Sequence, residues 1–388
     1  MKKILFVVLA IFLLAGLLGC NNAPAGETGG HSAIMSHTAT EADIKQLEAL
    51  YEGRQPYHGE LHDHANTGGT SDGKVDLDVW RMMMSGKDID FATIVDHKQV
   101  LHMRLDSWDN ALFIGGTEAG TTVLDSKAEQ KMFHYNMIFA TPEGLENVLN
   151  AFSEKYQYLN DHFVYPNFRV AEMEEVAKFV TENGGFFVHV HPKGGKYMKS
   201  DDPLDYYFGD YTGIEVLCGW YGKMGEMQNQ KAYKLWTDLL ALGKKVYATS
   251  GSDSHNTSNT VSLTTIYSEK QDAATYLGHV KRGDFTAGPV GLRMCVGDTT
   301  TGGTTAFAGK RLVVSAGDFH SSVFVPGNTY RLDLYSDTAL VASKEIAADQ
   351  MGYLAIDADE NAKFYRAVLY NATGEYEVAV GNPIWNEG

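Results

Sequence analysis

Seven short runs of β character lie between Tyr57 and Thr249, separated by segments of helical period, and that alternation restricts the chain to an α/β architecture. The runs are Tyr57 to Leu61, Asp90 to Val95, Leu112 to Gly115, Met132 to Phe139, Phe186 to Val190, Ile214 to Leu217 and Lys245 to Thr249. Between them, Val170, Met173, Val176, Ala177 and Val180 recur at helical spacing before Gly184-Gly185. A second helix is expected over about Glu226 to Leu242, with Leu235, Trp236, Leu239 and Leu240 on one face and Gly243 as its stop. A third opens at Thr141-Pro142, a cap residue followed by the proline favoured at the first helical position. Seven strands with helices between them suit a barrel. After about Arg293 the pattern changes to short alternating runs such as Tyr330 to Tyr335 and Phe364 to Tyr370, which read as a small β-sandwich-like unit.

The N-terminus reads differently. Lys2 and Lys3 precede an apolar run from Ile4 to Leu18, which is shorter than the roughly 18 to 20 residues a spanning helix needs and has the layout of a secretory signal. Leu17-Leu18-Gly19-Cys20 resembles the bacterial lipobox, in which the cysteine is acylated and becomes the new N-terminus. The expectation is an exported bacterial lipoprotein, membrane-anchored through Cys20 on the extracytoplasmic side. Residues 1–19 would be the signal peptide and 20–44 the lipidated cysteine with its tether, flexible from Asn21 to about Thr40. A barrel domain over 45–292 and a β-rich C-terminal domain over 293–388 would follow.

Charge narrows the partners. With 32 Lys and Arg against 49 Asp and Glu, the formal net charge is −17, which argues against nucleic acid and suits a site that binds cations. Beyond Cys20 only Cys218 and Cys295 remain, so neither a disulfide scaffold nor a cysteine-built zinc module is present, and their pairing stays open.

Potential ligands recur at the ends of the strands, which in a β/α barrel form the active face. His62 and His64 follow the first strand, with Asp72 in the loop beyond; Asp96-His97 ends the second; Glu118 follows the third. His134 lies on the fourth, His189 and His191 end the fifth, and Asp253 and His255 follow the last. Imidazole nitrogens and carboxylate oxygens are ligands shared by zinc, manganese and iron. A lone histidine is more often a surface or core residue, and His31, His37, His102, His162, His279 and His320 are assigned to that background. Repetition at strand after strand is what favours a metal site.

Leu61-His62-Asp63-His64, Ser71-Asp72-Gly73, Asp96-His97, Gly116-Thr117-Glu118, His191-Pro192 and Gly251-Ser252-Asp253-Ser254-His255 resemble, in order, the motifs of the polymerase and histidinol phosphatase (PHP) superfamily. The match runs from about Tyr57 to His255. The resemblance implies a distorted (β/α)7 barrel holding two or three divalent ions (zinc, manganese or iron), with His62, His64, Asp72, His97, Glu118, His134, His191, Asp253 and His255 at ligand positions. Gly283 to Pro289 and the terminal Gly381-Asn382-Pro383-Ile384 are similar to the CehA-like branch, whose members carry a β-rich C-terminal domain. Ala65 departs from the Thr or Ser frequent after the second histidine. His189 and Asp96 are alternative ligands or supports behind the ligands.

The chemistry expected is hydrolysis of a small-molecule substrate by a metal-bridging hydroxide, since bound cations lower the pKa of water from 15.7 towards about 7. Glu118 would bridge ions, while Asp253 or His255 would hold the nucleophile or pass a proton to the leaving group. Lys98, Lys193 and Lys196 are candidate contacts for substrate phosphate, and Trp220 and Tyr221 candidate pocket walls. A phosphoesterase is the first reading. A hydrolase of carboxylic esters, carbamates or amides on the same metals is the second, and a non-enzymatic surface binding module the third. Oligomeric state and natural substrate are not legible in the sequence.

Overall fold

Thr40 caps the first helix: its hydroxyl accepts the Asp43 N–H at 3.2 Å while the Asp43 carboxylate accepts the Thr40 N–H at 2.9 Å, a capping box for helix α1, Glu41–Leu50. Residues 41–44, expected to belong to the tether, are therefore helical, and the Thr-x-x-Asp spacing was the signal for it. This computed structural model describes residues 38–387 except 157, 160, 161, 164, 165, 195, 196, 220, 221 and 372, with only the backbone of 158, 159, 162, 163 and 222–224. The signal segment, Cys20, His31, His37, Lys196, Trp220, Tyr221 and the His162 side chain lie outside the described residues.

In chain order there follow β1 (Gln55–Asp63), α2 (Leu77–Gly86), β2 (Phe91–Ile94), β3 (Phe113–Val123), β4 (Met132–Phe139), α3 (Pro142–Ala151), α4 (Val170–Glu182), β5 (Phe186–Val190), β6 (Gly213–Cys218), α5 (Gly222–Ala241) and β7 (Tyr247–Gly251). Then come β8 (Thr264–Ser268), α6 (Ala273–Lys281), β9 (Thr286–Ala287), β10 (Val290–Val296), β11 (Arg311–Phe319), β12 (Thr329–Ser336), β13 (Ala339–Ala347), β14 (Gly352–Asp357), β15 (Phe364–Tyr370) and β16 (Glu377–Gly381). All seven β runs and three helices read from periodicity overlap observed elements, most with ends shifted by a few residues, but β3 continues to Val123 instead of ending at Gly115, so Glu118 lies within that strand and not after it.

The large sheet has the order β7-β6-β5-β4-β3-β2-β1-β8-β9-β16-β15-β12-β13. β1, β2 and β3 are parallel, as are β5, β6 and β7, but β4 runs antiparallel to both neighbours and β8 antiparallel to β1. This departs from a uniform (β/α)7 repeat, because the β3–β4 connection, 124–131, is shorter than the roughly dozen residues a parallel crossover needs. The fold is mixed α/β, and the sheet curls like part of a barrel. The His62 carbonyl accepts the Asp253 N–H, and the His64 N–H donates to the Ser254 carbonyl, both at 2.9 Å, so the end of β1 meets the segment leaving β7.

Val176, Val180, Trp236 and Leu239 are fully buried against the sheet with Tyr135, Met137 and Val216. Each such side chain stabilises the fold by about 1.5 to 3 kcal/mol. Helix α5 buries its Trp236 indole against β7's approach, donating to the Val246 carbonyl at 2.9 Å.

β10, β11 and β14 form a second sheet. Its Leu292, Leu312, Val314 and Leu354 are buried with Leu332, Leu334 and Leu369 from the far end of the large sheet, giving a second apolar cluster. Residues 292 and 293 lie in mid-strand of β10. Helix α1 is latched to this sheet by Arg293–Glu48 at 2.7 Å and Arg311–Asp43 at 3.0 Å. Cys218 and Cys295 are separate, buried thiols. Among the described residues no helix is long and apolar enough to cross a membrane.

Candidate metal centre

Strand alternation puts Glu60, His62 and His64 on one face of β1 and its extension, and the curl of the sheet turns that face toward β3 and β7. The nine sequence-designated ligand positions come together here in three overlapping groups, each with its ligand atoms within 4.8 Å of one another. His62, His64, Glu118 and Asp253 form one; Glu118, His134 and His191 a second; His64, Asp72, His97 and His255 a third.

Glu118 is the hub. One carboxylate oxygen lies 2.5 Å from His134 Nδ1 and 3.1 Å from His191 Nε2, and the other 3.1 Å from His64 Nε2, 3.5 Å from His62 Nε2 and 3.6 Å from His97 Nδ1. Asp253 Oδ1 lies 3.5 Å from His62 Nε2 and 3.4 Å from His64 Nε2. In the third group Asp72 reaches His255 Nε2 at 3.1 Å, His97 Nε2 at 3.4 Å and His64 Nδ1 at 3.7 Å. The Asp72 side chain is 47% exposed whereas Glu118 is 2% exposed, so two groups are interior and the third faces solvent.

Three of the eight described non-glycine residues with positive φ lie at this centre. Lys98 (φ 46°), His191 (φ 31°) and Asp253 (φ 49°) occupy the left-handed region, which costs a non-glycine residue about 1 to 2 kcal/mol. The bend at His191 carries its ring to Glu118, away from the aromatic pocket of His189. That expense of conformation is characteristic of positions fixed for a purpose other than folding.

The charge balance supports cation binding. Burial works to raise the Glu118 carboxyl, but His134, His97 and His191 hold it well below the usual range. Burial likewise opposes ionisation of Asp253 and Asp72, and the facing histidines outweigh it at both. Burial disfavours a charged His64, yet Asp253 and Glu118 push it up to about 10. The carboxylates thus demand positive charge in their midst. His62 Nε2 and both His64 ring nitrogens are buried without a hydrogen bond, although carboxylates surround them. Unbonded imidazole nitrogens beside ionised carboxylates are the donor set a divalent ion takes, so the residues fit such a group.

Behind the ligands stand carboxylates absent from the motif reading. Glu215 on β6 places Oε1 3.0 Å from His62 Nδ1 and accepts the His191 N–H through Oε2 at 2.7 Å. Glu60 accepts from the Ser252 N–H at 2.9 Å and its hydroxyl at 2.6 Å, tying β1 to the turn that carries Asp253; burial pushes its carboxyl up to about 8. An acid within an otherwise apolar strand, as in Ile214-Glu215-Val216-Leu217, was the available signal.

The alternative positions separate clearly. Asp96 accepts from the Ala65 N–H at 2.8 Å and from the Thr67 hydroxyl, so it braces the turn after His64. His189 lies outside the three groups, packed against Phe133 and Phe208 with Nδ1 at 3.4 Å from the Tyr206 carbonyl; burial holds it down at about 3. Lys98 is buried, and burial lowers its ammonium to about 8. Lys193 donates to Tyr206 Oη at 2.8 Å. His102, His279 and His320 lie outside the ligand groups.

No family model matches the chain, and no curated protein matches it. Among solved structures it is similar to Endonuclease Q in complex with a 27-mer duplex bearing an abasic lesion, with 14% identity, a TM-score of 0.41 and coverage of 58% of this chain and 57% of that one. It is similar to a protein assigned provisionally as a metal-dependent phosphoesterase from Bifidobacterium adolescentis, with 15% identity, a TM-score of 0.34 and coverage of 51% and 87%. The lesion-specific endonuclease PfuEndoQ from Pyrococcus furiosus is similar at 13% identity, a TM-score of 0.40 and coverage of 58% and 56%. The chain spans little more than half the length of either endonuclease.

Proposed function

We propose that this chain is a metal-dependent hydrolase of the PHP type, acting as a phosphoesterase on a small molecule. The observation that carries the reading is the sharing of ligands: Glu118 belongs to two of the three groups and His64 to two, so ions held there would be neighbours rather than isolated sites. Neighbouring divalent ions supply Lewis acidity and an acidified water, the requirements of in-line displacement at phosphorus.

The protein's own residues do the rest. Glu118 joins the two interior groups through its two oxygens. His62 is aimed by Glu215, and His191 is fixed through its backbone by the same carboxylate. His255, 30% exposed and in contact with Asp72, is the ligand-group histidine best placed to exchange a proton with a leaving group at the solvent face. Phosphate monoester and diester assays with added manganese or zinc test the reading. Turnover abolished by Glu118→Ala supports it, and turnover of carbonyl esters alone would move the chain to another hydrolase class.

The CehA-like affiliation and the export of the chain as a lipoprotein anchored through Cys20 belong to the same proposal. Lys2-Lys3, the apolar run to Leu18 and the Leu-Leu-Gly-Cys sequence support it. Release of Cys20→Ala from membranes would agree with the anchor, and its retention would contradict it.

A further inference from the structure

Five lysines line a cleft of about 890 Å³ next to the metal centre in a chain whose formal net charge is −17. Lys127 comes from the β3–β4 loop, Lys193 and Lys199 from the segment after His191, and Lys231 and Lys234 from α5. Their convergence is a product of tertiary structure, because no two of the three segments adjoin in sequence.

The cleft is built. Tyr206, 1% exposed, organises its floor: its hydroxyl receives the Lys193 ammonium at 2.8 Å and the Ser200 N–H at 3.0 Å, and donates to the Met198 carbonyl at 3.0 Å. The Lys193 Nζ also lies 4.0 Å over the Tyr206 ring. A bridge between Gln130 and Lys199 closes the β3–β4 loop against this segment. Three acids share the lining, but Asp238 is occupied by Lys234 at 2.7 Å.

The same segment touches the metal centre from its other side. Tyr197 lies against the rings of His191 and His134, with centroids 4.4 Å and 4.7 Å away, and Met198 and Lys199 next to it line the cleft. His191 and Lys193 are two residues apart, a backbone span of at most about 7 Å.

We propose that this cleft is an anion-recognition site for a phosphorylated small molecule, with Lys193, Lys199 and Lys231 as its principal contacts. It deepens the phosphoesterase reading by giving the substrate a second anionic group to be held outside the metal centre, but the cleft itself can be tested whether or not the chain hydrolyses anything.

The test is amine footprinting of the metal-loaded protein with acetic anhydride, with and without inorganic phosphate, and with sulfate as a dianion that cannot be hydrolysed. Mass spectrometry reads each lysine, and exposed Lys45 and Lys344 serve as references. At an anion concentration about five times Kd, modification of Lys193, Lys199 and Lys231 should fall about six-fold while the references stay constant. A Lys199→Gln, Lys231→Gln double variant with an unchanged circular dichroism spectrum should lose protection at Lys193. Uniform modification with and without either anion, or protection of Lys193 undiminished in the double variant, overturns the proposal. Metal content and phosphoester turnover measured on the same samples separate failure of the cleft from failure of the hydrolase reading.

Discussion

The Glu215 carboxylate links two strands of the centre, with Oε1 3.0 Å from His62 Nδ1 and Oε2 accepting the His191 N–H at 2.7 Å. Such a partner fixes the imidazole orientation and raises ligand basicity, and its loss typically costs 10- to 100-fold in metal affinity. Glu215→Ala should therefore bind divalent ions at least about 10-fold more weakly while keeping all nine candidate ligand residues. Competition with a chelating dye measures it. Unchanged affinity would reduce Glu215 to a purely structural link.

Gly251 makes the close approach of β7 to β1 possible. A Cβ there would lie 2.4 Å from the His62 Cβ and 2.8 Å from Glu215 Oε1. Gly251→Ala is predicted to displace His62, to lower melting temperature through a loss of about 1 to 3 kcal/mol, and to reduce bound metal although no ligand is altered. Calorimetry and metal analysis on one preparation check both effects.

The reading of the sequence and the structure differ for identifiable reasons. Strand and helix positions were legible because periodic burial is written locally, as in Val170, Met173, Val176 and Val180 of α4. The nine ligand positions were approached through short motifs at strand ends, where one His or Asp stands out from an apolar run. Glu215 and Glu60 were not, since each is a single acid inside a strand and its partner lies 153 or 192 residues away. The direction of β4 was missed because polarity along a strand depends on the length of its connection and leaves no periodic trace. Lys231 was not singled out, because on α5 alone it reads as a solvated face.

His58 predicts a pH dependence of stability away from the metal ligands. Its Nδ1–H donates to Thr265 Oγ1 at 3.0 Å, and that hydroxyl donates to the Gly288 carbonyl at 2.8 Å, which fixes the Nδ1–H tautomer of the neutral ring. Burial first, and His320 second, hold its pKa down at about 4 from an ordinary 6.5. The unfolded chain thus takes up the proton before the folded one: the stabilisation is complete above pH 6.5 and is lost as pH falls toward 4, by up to about 3 kcal/mol. Urea unfolding at pH 7 and pH 5 should show a smaller change in His58→Gln than in the parent. An equal change in both would remove His58 as its source.

Burial sets an order of metal loss. The group containing Asp72, which is 47% exposed, should release its ion to chelator before the groups held by Glu118, which is 2% exposed. Asp72→Ala is predicted to weaken only that outer ion, whereas Glu118→Ala should weaken both inner ones. Stopped-flow chelation with a metal-sensitive dye resolves the phases, and a single phase altered equally by the two substitutions would contradict separate groups.

The most direct measurement is the metal content of the folded, purified protein by plasma mass spectrometry. Three ligand groups predict two or three divalent ions per chain, falling with Glu118→Ala while the circular dichroism spectrum is retained. One ion or none in the parent protein, after reconstitution with zinc or manganese, would contradict the account.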